Sequence, residues 1–176
     1  MFTTLVALGI IGLQIAIATF VVLWVGKSPF LKNIYRHSHI ILSLIFIGGA
    51  FFSLIYEYGF GYEPCLLCWY QRIAIFGVAL LSLTGDIRTN KTLQKQVLLF
   101  SLLGLMVAIL HNYIDLIPSG LDICGTGPSC LKRYIYEFGY ITIPMMSFTT
   151  LLSGSVLSFF LIKSPKASMV ETTVLK

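Results

Sequence analysis

Hydrophobic residues in this chain form long runs that are separated by short polar segments. An α-helix rises about 1.5 Å per residue, so roughly 20 apolar residues cross the hydrocarbon core of a bilayer. Five runs approach or exceed this length, and the pattern therefore predicts five transmembrane helices. They cover residues 2–25, about 40–56, 69–85, 97–114 and 138–162.

The first of these runs needs a separate interpretation because it lies at the N-terminus. Residues 2–25 contain no charged side chain, and no Lys or Arg precedes them. A cleaved signal peptide has a basic start and a shorter apolar core. We therefore interpret residues 2–25 as a retained transmembrane helix rather than a signal peptide.

Positive charges concentrate in alternate connections between the runs. Nine of the twelve Lys and Arg lie in the segments 26–39, 86–96 and 163–176. Of the other three Lys and Arg, only Lys132 and Arg133 lie in the intervening segments 57–68 and 115–137. Short positively charged loops remain in the cytoplasm. The pattern therefore predicts that the N-terminus and both intervening segments lie outside and that the C-terminus lies in the cytoplasm.

The composition strengthens the membrane assignment. Hydrophobic residues make up 57% of the 176 residues and charged residues 11%, whereas a soluble domain carries about 25% charged residues. The formal charge of +5 does not indicate a nucleic-acid partner, because the positive charges lie in short loops. We find no internal repeat and no low-complexity segment, so we expect residues 1–176 to form one membrane domain.

All four cysteines fall in the two segments predicted to lie outside, where disulfides persist. Cys65 and Cys68 form a Cys-x-x-Cys motif after Pro64 at the start of the third run. Cys124 and Cys130 enclose a turn that contains glycine and proline. Four cysteines permit three pairings, and these spacings favour the two local ones.

Two structural interpretations of the cysteines compete with redox chemistry. Two disulfide staples would stabilise the bundle little, because the entropic benefit of a disulfide grows with the length of the closed loop. A four-cysteine zinc site is the other alternative. Five residues separate the two cysteines of the second pair, more than the roughly two to four that are usual in zinc sites. No His lies in either segment. We therefore favour a redox role and predict no metal site.

Arg72 is the charged residue that interrupts the third run. It follows Cys68 by four residues, so both side chains lie on one helix face about one turn apart. A charge at that depth is costly and usually functional. It could stabilise a Cys68 thiolate or bind the oxygen of a carbonyl compound. The alternative is an arginine that snorkels to the outer headgroups.

Polar and aromatic residues lie at the same depth as Arg72. His111, beside Asn112 near the end of the fourth run, could hydrogen-bond a carbonyl and exchange a proton, or be an ordinary interfacial polar residue. Three aromatic residues are typical of an interfacial belt or could form the walls around a flat ring. They are Trp69, Tyr70 and Tyr113.

These motifs together resemble a known family. Residues 64–72 (Pro-Cys-Leu-Leu-Cys-Trp-Tyr-Gln-Arg), the second cysteine pair and residues 139–144 (Gly-Tyr-Ile-Thr-Ile-Pro) resemble the DsbB family of quinone-dependent disulfide-generating membrane proteins. The likeness is closer to its BdbC-type branch and covers about residues 40–163. It implies an all-α integral membrane protein with a four-helix transmembrane bundle over 40–163. The hydrophobic and charge patterns add one N-terminal transmembrane helix, which the resemblance does not explain, and a cytoplasmic tail at 164–176.

The resemblance also implies a function. Such a protein is an oxidoreductase of the bacterial plasma membrane that reoxidises an extracytoplasmic DsbA-like thioredoxin-fold carrier. It passes the electrons to a membrane quinone, either menaquinone or ubiquinone, and so generates disulfides for secreted proteins. By the resemblance, Arg72 holds a quinone oxygen and His111 lies near the quinone. The alternative function is a non-catalytic membrane anchor or assembly protein with two structural disulfides.

The resemblance assigns a role to each cysteine. Cys124 forms the mixed disulfide with the carrier, and Cys130 is its partner in the loop. Cys65 receives electrons from this loop pair, and Cys68 faces the quinone as a charge-transfer thiolate. The loop between Cys124 and Cys130 is much shorter than in the longer-looped members of the family, so the details of its movement do not carry over.

Overall fold

The computed structural model describes residues 1–116, 130 and 132–163. Five helices in this part of the chain are long and apolar enough to cross a membrane. They are α1 (Phe2–Val25), α2 (Leu31–Leu54), α3 (Leu66–Thr84), α4 (Lys91–Leu116) and α5 (Ile143–Lys163). No β-strand occurs among the described residues, and the predicted all-α membrane fold is confirmed. Cys124 and the tail 164–176 lie outside the described residues.

Three helices begin earlier than the hydrophobic pattern predicts. α2 begins at Leu31 rather than near residue 40, α3 at Leu66 rather than near residue 69, and α4 at Lys91 rather than near residue 97. Lys32 and Arg36 are therefore helical residues and not part of a loop. Hydrophobicity ends at the membrane surface, whereas the backbone hydrogen bonds of a helix continue through charged residues beyond it.

The last helix begins later than predicted, at Ile143 rather than near residue 138. Phe138 and Gly139 adopt positive φ angles of 53° and 78°, which a right-handed helix excludes. The chain turns here, and Glu137 pairs with Ile141 through backbone hydrogen bonds. Pro144 lies in the first turn of α5, where its missing N–H has no helical partner to lose.

α5 lies at the centre of the bundle, and small residues let its neighbours approach closely. A Cβ atom placed on Gly154 would lie 2.5 Å from the Phe46 ring on α2 and 2.6 Å from Ser101 Oγ on α4. A Cβ atom on Gly104 of α4 would lie 2.6 Å from Ala74 on α3. Small residues at helix crossings are typical of membrane bundles, where close packing drives association.

The two ends of the bundle contain different types of residue. α1, α3 and α5 begin, and α2 and α4 end, at the end that contains Cys65 and His111, which we call the cysteine end. The opposite end contains the α1–α2 and α3–α4 connections, and we call it the basic end because Lys27 and Arg88 lie there. The candidate site lies at the cysteine end.

Candidate functional site

The cysteine pair of the Cys-x-x-Cys motif lies at the first turn of α3. Cys65 is the residue that caps the helix, with an extended backbone (φ −72°, ψ 172°). The backbone N–H of Cys68 donates to Cys65 Sγ over 3.4 Å. Both cysteines are free thiols, and their Sγ atoms are 3.0 Å apart. α3 begins at Leu66, directly after this cap, and the cap places Cys65 Sγ against helix N–H groups, which favour a thiolate.

His111 connects this pair to the second cysteine segment. It is 2% exposed, and the Gln71 side-chain amide donates to its Nδ1 over 3.0 Å. Because Nδ1 accepts, the ring proton of the neutral imidazole lies on Nε2. His111 Nε2 is 3.2 Å from the Cys130 carbonyl oxygen and 3.9 Å from Cys65 Sγ. The imidazole therefore presents its N–H to both cysteine segments.

Cys130 lies beside Cys65 although 65 residues separate them in the chain. Cys130 is buried and disulfide-bonded. The side-chain sulfur atoms of Cys65 and Cys130 and a ring nitrogen of His111 all lie within 4.8 Å of one another. A thiolate ligand to a metal would require Cys130 to leave its disulfide. A dithiol placed beside a disulfide is instead the arrangement that thiol–disulfide exchange requires.

The environment of Cys65 favours its ionised form. The Cys68 thiol hydrogen-bonds to Cys65 Sγ, and the His111 ring adds a second hydrogen bond, so the pKa of the Cys65 thiol is well below its usual range despite burial. A thiolate attacks disulfides, and a thiol of low pKa is also the better leaving group. Cys65 is thus chemically suited to accept and release a disulfide bond.

Arg72 is buried in the bundle rather than extended to the membrane surface. It donates to the Ser53 carbonyl oxygen over 2.6 Å and forms an ion pair with Glu57. Its guanidinium carbon lies 5.5 Å from the centre of the Trp69 ring. The side chain is 9% exposed, so the snorkelling alternative does not fit. These hydrogen bonds join Arg72 to α2 and to the π-helical turn Ile55–Gly59 that follows it.

A cavity of about 120 Å³ opens among these groups. The four candidate site residues that the structure describes on α3 and α4 all line it. They are Cys65, Cys68, Arg72 and His111. Four aromatic residues also line it, and they come from α2, from the π-helical turn after it, and from the segments that precede α3 and α5. They are Phe52, Tyr56, Tyr62 and Tyr134.

The aromatic residues expected near a flat ring are not the ones that line the cavity. Trp69, Tyr70 and Tyr113 are 46%, 52% and 61% exposed, and none of them lines the cavity. Their positions agree with the interfacial-belt interpretation instead. Tyr56 and Tyr62 stack with centroids 6.0 Å apart, and Tyr62 stacks on Tyr134 at 4.8 Å.

Sequence reasoning missed two further polar residues of the site. Glu57 is the partner of Arg72, and Gln71 is the partner of His111. One signal for Glu57 was available, because it is a lone carboxylate at the end of the second apolar run, at the predicted depth of Arg72. The sequence indicated Gln71 less clearly. It lies between Tyr70 and Arg72, and the sequence does not show which face of this helix packs into the bundle.

Comparison with known proteins agrees with this geometry. The family model described as "Disulfide bond formation protein DsbB" matches residues 35–172. A "Probable disulfide formation protein C" of Halalkalibacterium halodurans is 32% identical over 139 residues, which are 77% of this chain and 98% of the relative. A "Disulfide bond formation protein C" of Bacillus subtilis is 31% identical over 112 residues, 62% of this chain and 78% of the relative. No solved structure matches the chain.

The family match and the fold lead to one assignment. The matched region contains α3, α4 and α5 with the Cys-x-x-Cys motif and Cys130, and most of α2. Relatives named as disulfide formation proteins align with most of the chain. The chain therefore belongs to the DsbB family of disulfide bond formation proteins and is a multi-pass membrane oxidoreductase.

Proposed function

We propose that this protein reoxidises a DsbA-like thioredoxin-fold carrier outside the cytoplasm and passes the two electrons to a membrane quinone. The observation that supports this most directly is the position of Cys65. It lies beside the disulfide-bonded Cys130 and lines the cavity that also contains Cys68 and Arg72. One cysteine pair thus adjoins both a second pair and a candidate quinone cavity.

Oxidation of the carrier takes two exchange steps at the loop pair. A carrier thiolate attacks Cys124, forms a mixed disulfide with it and releases Cys130 as a thiolate. The second carrier thiol then attacks the carrier's own sulfur in this bond, leaving the carrier oxidised and Cys124 reduced. The two electrons now reside on Cys124 and Cys130 as a dithiol. Cys124 lies outside the described residues, and its role rests on the family resemblance.

The two electrons then pass from the loop pair to the Cys65–Cys68 pair. With the Cys65–Cys68 pair oxidised, the Cys130 thiolate attacks Cys65 and releases Cys68. The Cys124 thiolate then attacks Cys130, which restores the loop disulfide and releases Cys65 as a thiolate. The lowered pKa of the Cys65 thiol favours this release, because a leaving thiol of low pKa departs faster. The His111 Nε2–H, 3.9 Å from Cys65 Sγ, would stabilise the departing thiolate.

The cavity residues fit a quinone ring. A dry protein cavity of roughly 150 Å³ binds benzene, and the cavity here, at about 120 Å³, is somewhat smaller, so its lining side chains would move outward slightly to admit a single ring. An arginine carries five N–H donors, and Arg72 uses two of its nitrogens toward Glu57 and Ser53. Arg72 would therefore hold a carbonyl oxygen, with His111 as a second polar neighbour. Menaquinone or ubiquinone, when bound, supplies the two-electron acceptor.

The same proposal includes an orientation in a bacterial plasma membrane. The cysteine end faces outward, where a secreted carrier can reach it, and the basic end faces the cytoplasm. The support is the distribution of positive charge, because nine of the twelve Lys and Arg belong to the basic end or to the C-terminal segment 163–176. Short positively charged loops remain cytoplasmic.

The test is quinone reduction by the purified protein in detergent, with a reduced thioredoxin-fold carrier as electron donor. Wild type and Cys68→Ser are compared at several carrier concentrations. We expect one quinol per carrier disulfide with wild type and none with Cys68→Ser. Wild-type protein that oxidises no carrier and reduces neither a ubiquinone nor a menaquinone analogue would contradict the proposal and favour a structural role for the cysteines.

A further inference from the structure

α1 is the helix that the family resemblance leaves unexplained, yet polar contacts fix it to the bundle. The Gln14 side-chain amide donates to Thr149 Oγ1 on α5 over 3.0 Å, and Tyr140 Oη donates to Gln14 Oε1 over 2.9 Å. Thr3 Oγ1 donates to Glu137 over 3.1 Å. Hydrogen bonds between helices set register in a bilayer, where water does not compete. α1 therefore has a defined position rather than that of a loose anchor.

Aromatic contacts at both ends of α1 show which helices it covers. At the cysteine end, the Phe2 ring lies 6.0 Å from Phe52 on α2 and 5.5 Å from Phe60 after the π-helical turn. At the basic end, the Phe20 ring lies 5.2 Å from Phe160 on α5. α1 thus spans from α2 to α5 on the outside of the bundle.

Two α1 side chains reach the candidate quinone cavity between these contacts. Val6 and Ile10 are four residues apart, so they lie on one helix face, and both line the cavity that contains Cys68 and Arg72. Ala7, on the same part of the helix, is fully buried. Leu8 and Ile15, by contrast, are 51% and 62% exposed and do not line the cavity.

We propose that α1 is a wall of the quinone site and that Val6 and Ile10 limit the size of the quinone ring it accepts. This inference rests on the proposed function. α2 and α5 line the cavity with the small residues Gly49 and Ser147 and with the larger Phe52 and Met146. Val6 and Ile10 add branched side chains from a third helix, and these occupy space that a second fused ring would need.

The test compares two double variants of the full-length protein. Val6→Ala/Ile10→Ala enlarges the cavity, and Leu8→Ala/Ile15→Ala removes two aliphatic side chains from the same helix outside the cavity. The probes are a short-tailed single-ring benzoquinone and a short-tailed two-ring naphthoquinone. Their dissociation constants are measured by equilibrium dialysis with oxidised protein in detergent, without turnover. The ratio of the two constants in one preparation is independent of the folded fraction.

We expect the Val6/Ile10 variant to shift this ratio roughly three- to tenfold toward the two-ring quinone, and the Leu8/Ile15 variant to leave it unchanged. Ile10→Phe, which fills the cavity, should shift the ratio in the opposite direction. Equal ratios in wild type and all three variants would overturn the inference.

Carrier-driven quinone reduction by wild type, run in parallel, separates this inference from the proposed function. If wild type reduces quinone and the ratios are equal, only the role of α1 fails. If wild type neither binds nor reduces either quinone, the proposed function itself fails.

Discussion

The two ends of the bundle contain the same types of polar residue, but these residues contact different kinds of partner. Each end contains a glutamine that is 1% exposed, Gln71 at the cysteine end and Gln94 at the basic end. Each also contains an arginine paired with a carboxylate, Arg72 with Glu57 and Arg88 with Asp86. The sequence separation between the partners distinguishes the two ends.

At the basic end the partners are neighbours in the chain. The Gln94 side chain donates to the Ile87 carbonyl oxygen over 2.8 Å, seven residues away. Arg88 pairs with Asp86, two residues away, and also donates to the Arg36 carbonyl oxygen over 2.6 Å. The Gln94 bond and the Asp86 pair are local to the short α3–α4 connection, and the bond to Arg36 joins this connection to α2.

At the cysteine end the partners come from different helices. Gln71 on α3 meets His111 on α4, 40 residues away, and Arg72 meets Glu57, 15 residues away. These contacts hold the His111 ring and the guanidinium in fixed positions at the cavity. A buried ion pair contributes little net stability, because desolvation offsets the attraction. Its presence in a membrane helix therefore indicates a functional requirement.

The largest expected difference between the ends is in quinone binding. Arg72→Ala should raise the apparent KM for quinone roughly ten- to hundredfold, because a hydrogen bond to a charged group contributes about 1.5–3 kcal/mol. Exchange between the carrier and the Cys130 disulfide should be unaffected. Steady-state quinone reduction and carrier oxidation in a single turnover measure the two effects. Arg88→Ala is the matched control, and an unchanged quinone KM in Arg72→Ala would remove this role.

A second difference is expected in stability. Glu57→Gln leaves the buried Arg72 charge without a counter-ion and should lower the free energy of unfolding by about 1–3 kcal/mol. Asp86→Asn breaks a partly exposed pair near the membrane surface and should cost about 0–1 kcal/mol. Thermal unfolding in one detergent compares the two variants. Equal losses would mean that burial does not distinguish the pairs.

A smaller effect is expected from the glutamines. Gln71→Leu removes the donor to His111 Nδ1, so the ring no longer keeps its proton on Nε2 beside Cys65. The pKa of the Cys65 thiol should then rise, because a hydrogen bond that favours the thiolate is lost. The measurement is the pH dependence of Cys65 alkylation by iodoacetamide, followed by peptide mass spectrometry. Gln94→Leu is the control, and the same profile in Gln71→Leu as in wild type would contradict the assigned tautomer.

The smallest effect concerns acid stability at the basic end. The hydrogen-bonded Arg88 guanidinium lowers the pKa of the Asp86 carboxyl. The contribution of this pair is therefore present above the unfolded pKa of about 4 and is lost as pH falls through the lower folded value. The melting temperatures of wild type and Asp86→Asn should differ by a few degrees at most at pH 6 and converge on acidification. If the difference between the two melting temperatures grew at low pH instead, the predicted direction of the pH dependence would be wrong.

Much of the fold could be predicted from local sequence patterns, such as uninterrupted apolar runs and helix caps. The first apolar run predicts α1 to the residue, Phe2–Val25, because no charged or helix-breaking residue interrupts it. The start of α2 at Leu31 is less predictable, since helical hydrogen bonding continues past the membrane surface. The start of α3 at Leu66 is a local property of Pro64 and the Cys65 cap, whereas the hydrophobic run alone placed it near residue 69.

The site is only partly predictable because its partners are distant in the chain. The position of Arg72 inside an apolar run indicates a special role, but not that Glu57 is its counter-ion. His111 was expected at the depth of Arg72, and packing places it against Cys65 and Cys130. Helix rotation decides such contacts, and a run that is apolar on all sides does not reveal its rotation.

The sequence by itself determined the membrane class, five helices, the cysteine motif and the family, because hydrophobicity over about 20 residues and short motifs are local signals. The tertiary structure alone decided which side chains share the cavity. Val6 on α1, Tyr134 beyond α4 and Glu57 after α2 come together only through close packing around α5. That packing depends on the shapes of many side chains at once, which no single stretch of the sequence encodes.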